Sequence, residues 1–105
     1  MLTFRADGFE WDAASRLKCQ KHGLAVEEIE AVFSGAVRVA PDIAHSFDET
    51  RFIAVGFGDG IRPVFVAFTL RRRGDKTFIR PISARHMHRK EIARYEKEIA
   101  AAKDR

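Results

Sequence analysis

The sequence predicts an α+β domain: two N-terminal helices, a central antiparallel β-sheet in meander order, and a C-terminal helix. Three observations predict it. Apolar residues recur at helical spacing from about residue 12 to 33 and again from 87 to 102. Between them lie short apolar runs divided by Gly-Asp turn signals. Helical and strand patterns are thus segregated along the chain, which favours hairpin-connected strands over alternating βαβ units.

Asp12 is a natural N-cap for a first helix running to His22, and Gly23 stops it. A second helix is expected over Val26 to Phe33, with Val26, Ile29, Val32 and Phe33 on one face and the acids Glu27 and Glu28 at its start, where they suit the helix dipole. Val37-Arg38-Val39 reads as a short strand and Pro41 to Glu49 as a loop. Arg51 to Phe57 is the next strand, and Gly58-Asp59-Gly60 a hairpin turn. Val64 to Phe68 is apolar on both faces, the mark of a central strand. Arg71 to Asp75 reads as a basic turn leading into a strand from Lys76 to Ile82. Pro81 cannot donate to a ladder, which places it at an edge or near the strand end. His88, Ile92, Tyr95 and Ile99 form the stripe of the last helix.

One domain spanning residues 1–105 is expected, with 46% apolar residues and nine Phe to fill its core. Lys and Arg outnumber Asp and Glu by 19 to 15, and the pI is about 9.6. A basic balance of this size is compatible with a nucleic-acid partner without requiring one. Cys19 is the only cysteine, so no internal disulfide forms and a reducing, cytoplasmic setting is the expectation. No signal peptide and no membrane-spanning run is read in the chain. P-loop, dinucleotide, HExxH and GxSxG motifs are all absent.

What remains is a set of Arg, Lys, His and Glu residues. Phe78 to Arg85 is an apolar strand carrying Arg80 and ending on Arg85, and guanidinium groups on such a strand need an anion or a carboxylate to face. Arg80 has either a phosphate or a carboxylate such as Glu49 or Asp48 as its partner. Glu49 and Arg51, two apart, share a strand face, either in a cross-strand ion pair or with Arg51 on phosphate and Glu49 as base. Lys18, Lys21 and His22 either complement the end of the first helix, or Lys21 holds a phosphate while His22 moves a proton. Arg71, Arg72 and Arg73 are a solvated turn or an RNA-backbone contact. Trp11 is a core anchor or a base-stacking ring. His86 and His88, and separately His45, fall short of the three or four ligands a metal needs, so no metal and no cofactor is expected.

Taken in order, Phe9-Glu10-Trp11-Asp12, Lys21-His22-Gly23, Glu49-x-Arg51-Phe52, Arg80-Pro81-Ile82-Ser83-Ala84-Arg85 and Lys90-Glu91-x-x-x-Tyr95-Glu96 resemble the BrnT toxins. These are the ribonuclease half of the BrnT/BrnA type II toxin–antitoxin systems. The resemblance runs from about Phe9 to Glu96 and implies a RelE-like fold and an RNA-cleaving activity that inhibits translation. It also implies a BrnA-like ribbon-helix-helix antitoxin, with operator DNA bound only through the toxin–antitoxin complex. Its basic cluster falls on Lys21, His22, Arg51, Arg80 and Arg85, with Glu49 beside it. The chain departs from the family at Pro81, where many members are hydrophobic, and at Lys18-Cys19, where many carry an Asn. Such a set suits metal-independent transesterification, in which His22 or Glu49 is the base and the arginines stabilise the phosphate. The alternative is a non-catalytic module that binds nucleic acid or a partner protein.

Overall fold

The structure is a computed structural model that describes residues 6–35, 37–58 and 62–103, the last six by their backbone alone. A two-residue strand, β1 (Gly8–Phe9), precedes α1 (Ala13–Gln20) and α2 (Val26–Val32). Then come β2 (Val37–Pro41), a 3₁₀ turn (Ile43–His45), β3 (Phe52–Gly56), β4 (Val64–Arg73), β5 (Lys76–His86) and α3 (Arg89–Lys103). The strands form one sheet in the order β1-β5-β4-β3-β2. β2 to β5 are the expected antiparallel meander, with β4 at its centre. β1 adds a parallel edge, Gly8 opposite Phe78 and Phe9 opposite Ile79, so the sheet is mixed.

Local chemistry sets the helix limits. The Ser15 backbone N–H donates to Asp12 Oδ1 at 2.7 Å, and the Asp12 N–H donates back to Ser15 Oγ at 3.1 Å. This reciprocal pair satisfies donors that the first turn would leave bare. The helix ends at Gln20, two residues before His22, because Lys21 is already the C-cap and Gly23 takes a φ of 84°. Ahead of α2 the Glu28 carboxylate accepts the Ala25 N–H at 3.2 Å.

Arg71, Arg72 and Arg73 are not in a turn. They are the last residues of β4, paired with Phe78, Thr77 and Lys76. The turn itself is Gly74–Asp75, and Gly74 has φ 67° while Asp75 does not enter the positive region. A two-residue hairpin loop of this kind lets the ladder run to its tip, so the charge run continues the strand. At the other expected turn Gly58 has φ 57°, and Asp59 and Gly60 lie outside the described residues.

The sheet has two unlike faces. Val64, Val66 and Phe68 of β4, Ala54 of β3, and Ile79 and Ala84 of β5 point to one side, where Cys19, Leu24, Ile29 and Val32 cover them. Phe33 stands edge-on to Phe68, and Phe52 stacks on Phe68 at 5.5 Å between centroids. This is the core. On the other side, Arg38, Val55, Phe65 and Arg85 lie in register across β2 to β5. α3 crosses that row. Its Glu91 binds Arg85 through both oxygens (2.7 and 2.8 Å), and Tyr95, one turn on, lies under the Arg38 guanidinium at 5.7 Å.

Further along the same face Thr69 opposes Arg80. Arg80 and Arg85 are five residues apart, and strict alternation would send them to opposite faces. A register shift between Ala67 and Phe68 leaves Ile82 without a partner, and this bulge restores both arginines to one face. Pro81 is therefore not at the strand end; it sits mid-strand beside the bulge. The Ile79 carbonyl accepts from Glu10 on the β1 side, and alternation turns the Pro81 nitrogen the same way, beyond the end of β1, where no ladder donor is needed.

Candidate functional site

A cleft of about 230 Å³ opens where the start of α1, the segment entering β3, β4 and β5 meet. Its polar walls are Asp12, Ser15 and Lys18 from α1, Glu49 and Arg51 ahead of β3, Thr69 and Arg71 from β4, and Arg80 from β5. Each is delivered by a structural rule. Asp12 is there because it caps α1. Arg51 precedes Phe52, which pairs with Phe68, so alternation sets Arg51 beside Thr69. Arg71 lies two residues beyond Thr69 on the same face.

Two ion pairs brace the cleft. Arg80 donates to Asp12 Oδ2 at 2.6 Å, so its carboxylate partner is Asp12 and neither Glu49 nor Asp48. Glu49 pairs with Arg71 at 3.1 Å instead of bridging to Arg51. Asp12 serves both the helix cap and Arg80, and the Ser15 N–H together with Arg80 holds its carboxyl below the usual range. Arg51 and Lys18 have no side-chain partner among the described residues. The Arg51 backbone is nonetheless fixed: its N–H donates to Ser46 Oγ at 2.9 Å and its carbonyl accepts from Asp42 at 2.8 Å. Four cations face two carboxylates, an excess that suits a polyanion.

Other candidate residues stand elsewhere. Arg85 is held by Glu91, stacks over Phe65 at 4.7 Å and does not line the cleft. Hydrogen bonding to Arg85 in turn drops the Glu91 pKa to about 2. Lys21 and His22 are exposed just past α1 and are not among the lining residues. Arg72 is exposed, and Arg73 pairs with Glu10. Trp11 packs against the core and its Nε1–H donates to Glu30 at 2.9 Å. His45 bonds Asp42 at 2.9 Å, and no cluster able to hold a metal occurs among the described residues. Burial pushes the Cys19 thiol up to about 11, which keeps it protonated and unreactive.

Residues 11–91 match the family model described as the ribonuclease toxin, BrnT, of type II toxin–antitoxin systems. The chain belongs to the BrnT family. Comparison with curated proteins gives no match. BrnT is a ribonuclease toxin, which ties this chain to an RNA substrate and an antitoxin partner. The matched span takes in the whole cleft, from Asp12 to Ile82, and reaches Glu91, the anchor of α3. No helix among the described residues is long and apolar enough to cross a membrane. Sequence reasoning overlooked three polar cleft residues of this BrnT-family chain: Asp12, Ser15 and Thr69. Asp12 was visible only as a cap. Thr69 carried one faint signal, a hydroxyl directly after the apolar run Val64 to Phe68.

Proposed function

We propose that this cleft cleaves RNA by transesterification without a metal. In this reading Arg51 and Lys18, the cations without a side-chain partner, receive the scissile phosphate, and Arg80 and Arg71 wall it in. Glu49 removes the 2′-OH proton. The 2′ oxygen then bonds to phosphorus, the bond to the 5′ oxygen breaks, and Lys18 supplies the proton that the leaving oxygen needs. The products are a 2′,3′-cyclic phosphate and a 5′-hydroxyl. The guanidinium groups offset the extra negative charge of the transition state, where removing one preorganised donor commonly costs about 100- to 1000-fold in rate.

The observation that carries this reading is the convergence of uncommitted Arg51 and Lys18 with the Glu49 carboxylate in a single cleft. It also favours Glu49 over His22 as the base, because His22 is not among the lining residues. A volume of about 230 Å³ is below the roughly 300–1,000 Å³ of typical small-molecule pockets and suits a phosphate with part of its sugar. The antitoxin is read as a BrnA-like ribbon-helix-helix protein that covers the cleft, with operator DNA bound through the complex.

Purified toxin, freed of antitoxin, is incubated with RNA in EDTA and the new ends are mapped. Cyclic-phosphate ends are expected, with E49Q and R51A each reduced at least 100-fold. RNA binding with no cleavage by the wild-type protein would instead favour a non-catalytic binding module.

A further inference from the structure

Thr69 is 1% exposed, and its Oγ1 has no hydrogen-bond partner among the described residues. A buried hydroxyl left unsatisfied is destabilising, so such a group on a central strand calls for an explanation. Valine would fill the same space without that cost and is at least as good a strand former. Threonine's position supplies the explanation. It opposes Arg80 in the β4–β5 ladder, lies beside Arg51, sits two residues before Arg71, and lines the cleft that all three wall. The other hydroxyl of the cleft is occupied: Ser15 Oγ donates to the Asp12 carbonyl and accepts its N–H. Guanidinium groups only donate, so none of the surrounding arginines can accept the Thr69 O–H; an anion's oxygen can.

We propose that the Thr69 hydroxyl is a phosphate-binding donor of this cleft, giving a hydrogen bond to a non-bridging oxygen of the RNA phosphodiester between Arg51 and Arg80. The inference rests on the reading of the cleft as an RNA-cleaving site and adds to it an uncharged donor. A neutral donor at that point adds one more direction to those set by the guanidinium forks and so restricts the orientation of the phosphate further. A bond from a neutral hydroxyl to a charged oxygen is worth about 1.5–3 kcal/mol, or roughly 10- to 150-fold in rate or affinity.

The test compares full-length wild type, T69V and T69S, each freed of antitoxin. Three quantities are measured: kcat/KM on an RNA oligonucleotide, affinity for a fully 2′-O-methylated oligonucleotide that cannot be cleaved, and Tm. T69V is expected to lose about 10- to 100-fold in kcat/KM and to bind the probe more weakly, with Tm unchanged or raised. T69S, which keeps the hydroxyl, is expected to recover most of the loss. T69V cleaving and binding like wild type overturns the proposal while leaving the RNA-cleaving reading intact. A Tm lowered by several degrees in T69V also overturns it, because the hydroxyl would then have a structural partner. Absence of cleavage by wild type itself removes the underlying reading and is thereby distinguished from either.

Discussion

Two arginines on one strand have different fates, and the difference lies in what each meets. Arg85 faces a carboxylate through both arms of its fork and an aromatic ring beneath it. Arg80 makes one short bond to a carboxylate already engaged in capping a helix. The first arrangement engages both arms of the fork, and the second leaves the other donors of the fork without a side-chain partner among the described residues. Side chains at about one-third exposure on both partners limit the Arg85–Glu91 pair to a coupling of up to about 1 kcal/mol. A double-mutant cycle of R85A and E91A by urea denaturation measures it directly. In the core the penalties are larger. Phe68 is fully buried between Phe33 and Phe52, so F68A is expected to lose about 3–5 kcal/mol in the same experiment. A loss under 1 kcal/mol would mean that the aromatic stack is not the centre of the core.

At the scale of elements, acid acts on the anchor of α3. Glu91 has a folded-state pKa of about 2 against an ordinary 4.5, so the unfolded chain binds its proton first as pH falls. The stabilisation is complete above about pH 4.5 and is lost progressively down to about 2. Hydrogen-exchange protection factors in the first turns of α3, taken relative to the intrinsic amide rates at each pH, are therefore expected to fall over that window, and E91Q to remove that part of the pH dependence. At the entrance to the β3–β4 connection, a Cβ added to Gly58 would lie 3.0 Å from the Glu28 carbonyl, at a φ that favours glycine. G58A is expected to lower Tm more than G74A, whose site is equally left-handed but open.

Much of this architecture was legible in the sequence, and for identifiable reasons. Helix starts and stops were readable because Asp12 and Gly23 act locally. β4 was placed at the sheet centre because both of its faces are apolar. β1 was missed because two residues carry no periodicity and owe their strand character entirely to β5. The basic run at Arg71–Arg73 looked like a loop, because composition does not reveal that a hairpin ladder continues to its tip. Of the candidate site, Lys18, Glu49, Arg51, Arg71 and Arg80 converge, but their pairings depend on long-range register. Neither Asp12 with Arg80 nor Glu91 with Arg85 follows from spacing.

The whole molecule divides its labour by face: one side of the sheet is core, and the other is shared between α3 and the cleft. Ile82 is what lets a single strand serve both arrangements. It is an added residue in an otherwise even alternation, and the ladder on either side of it is complete. Removing it joins Pro81 to Ser83 with every remaining pair and every inward or outward assignment preserved. A one-residue deletion inside a central hairpin, ordinarily ruinous because it inverts all side chains beyond it, is thus expected to be accepted here. The shortened protein should unfold cooperatively with a native-like circular dichroism spectrum, and its loss should be confined to the cleft that Ile82 lines. An unfolded product would contradict this. Ile82 thus marks a position where the strand can change length and reshape the cleft without disturbing the core.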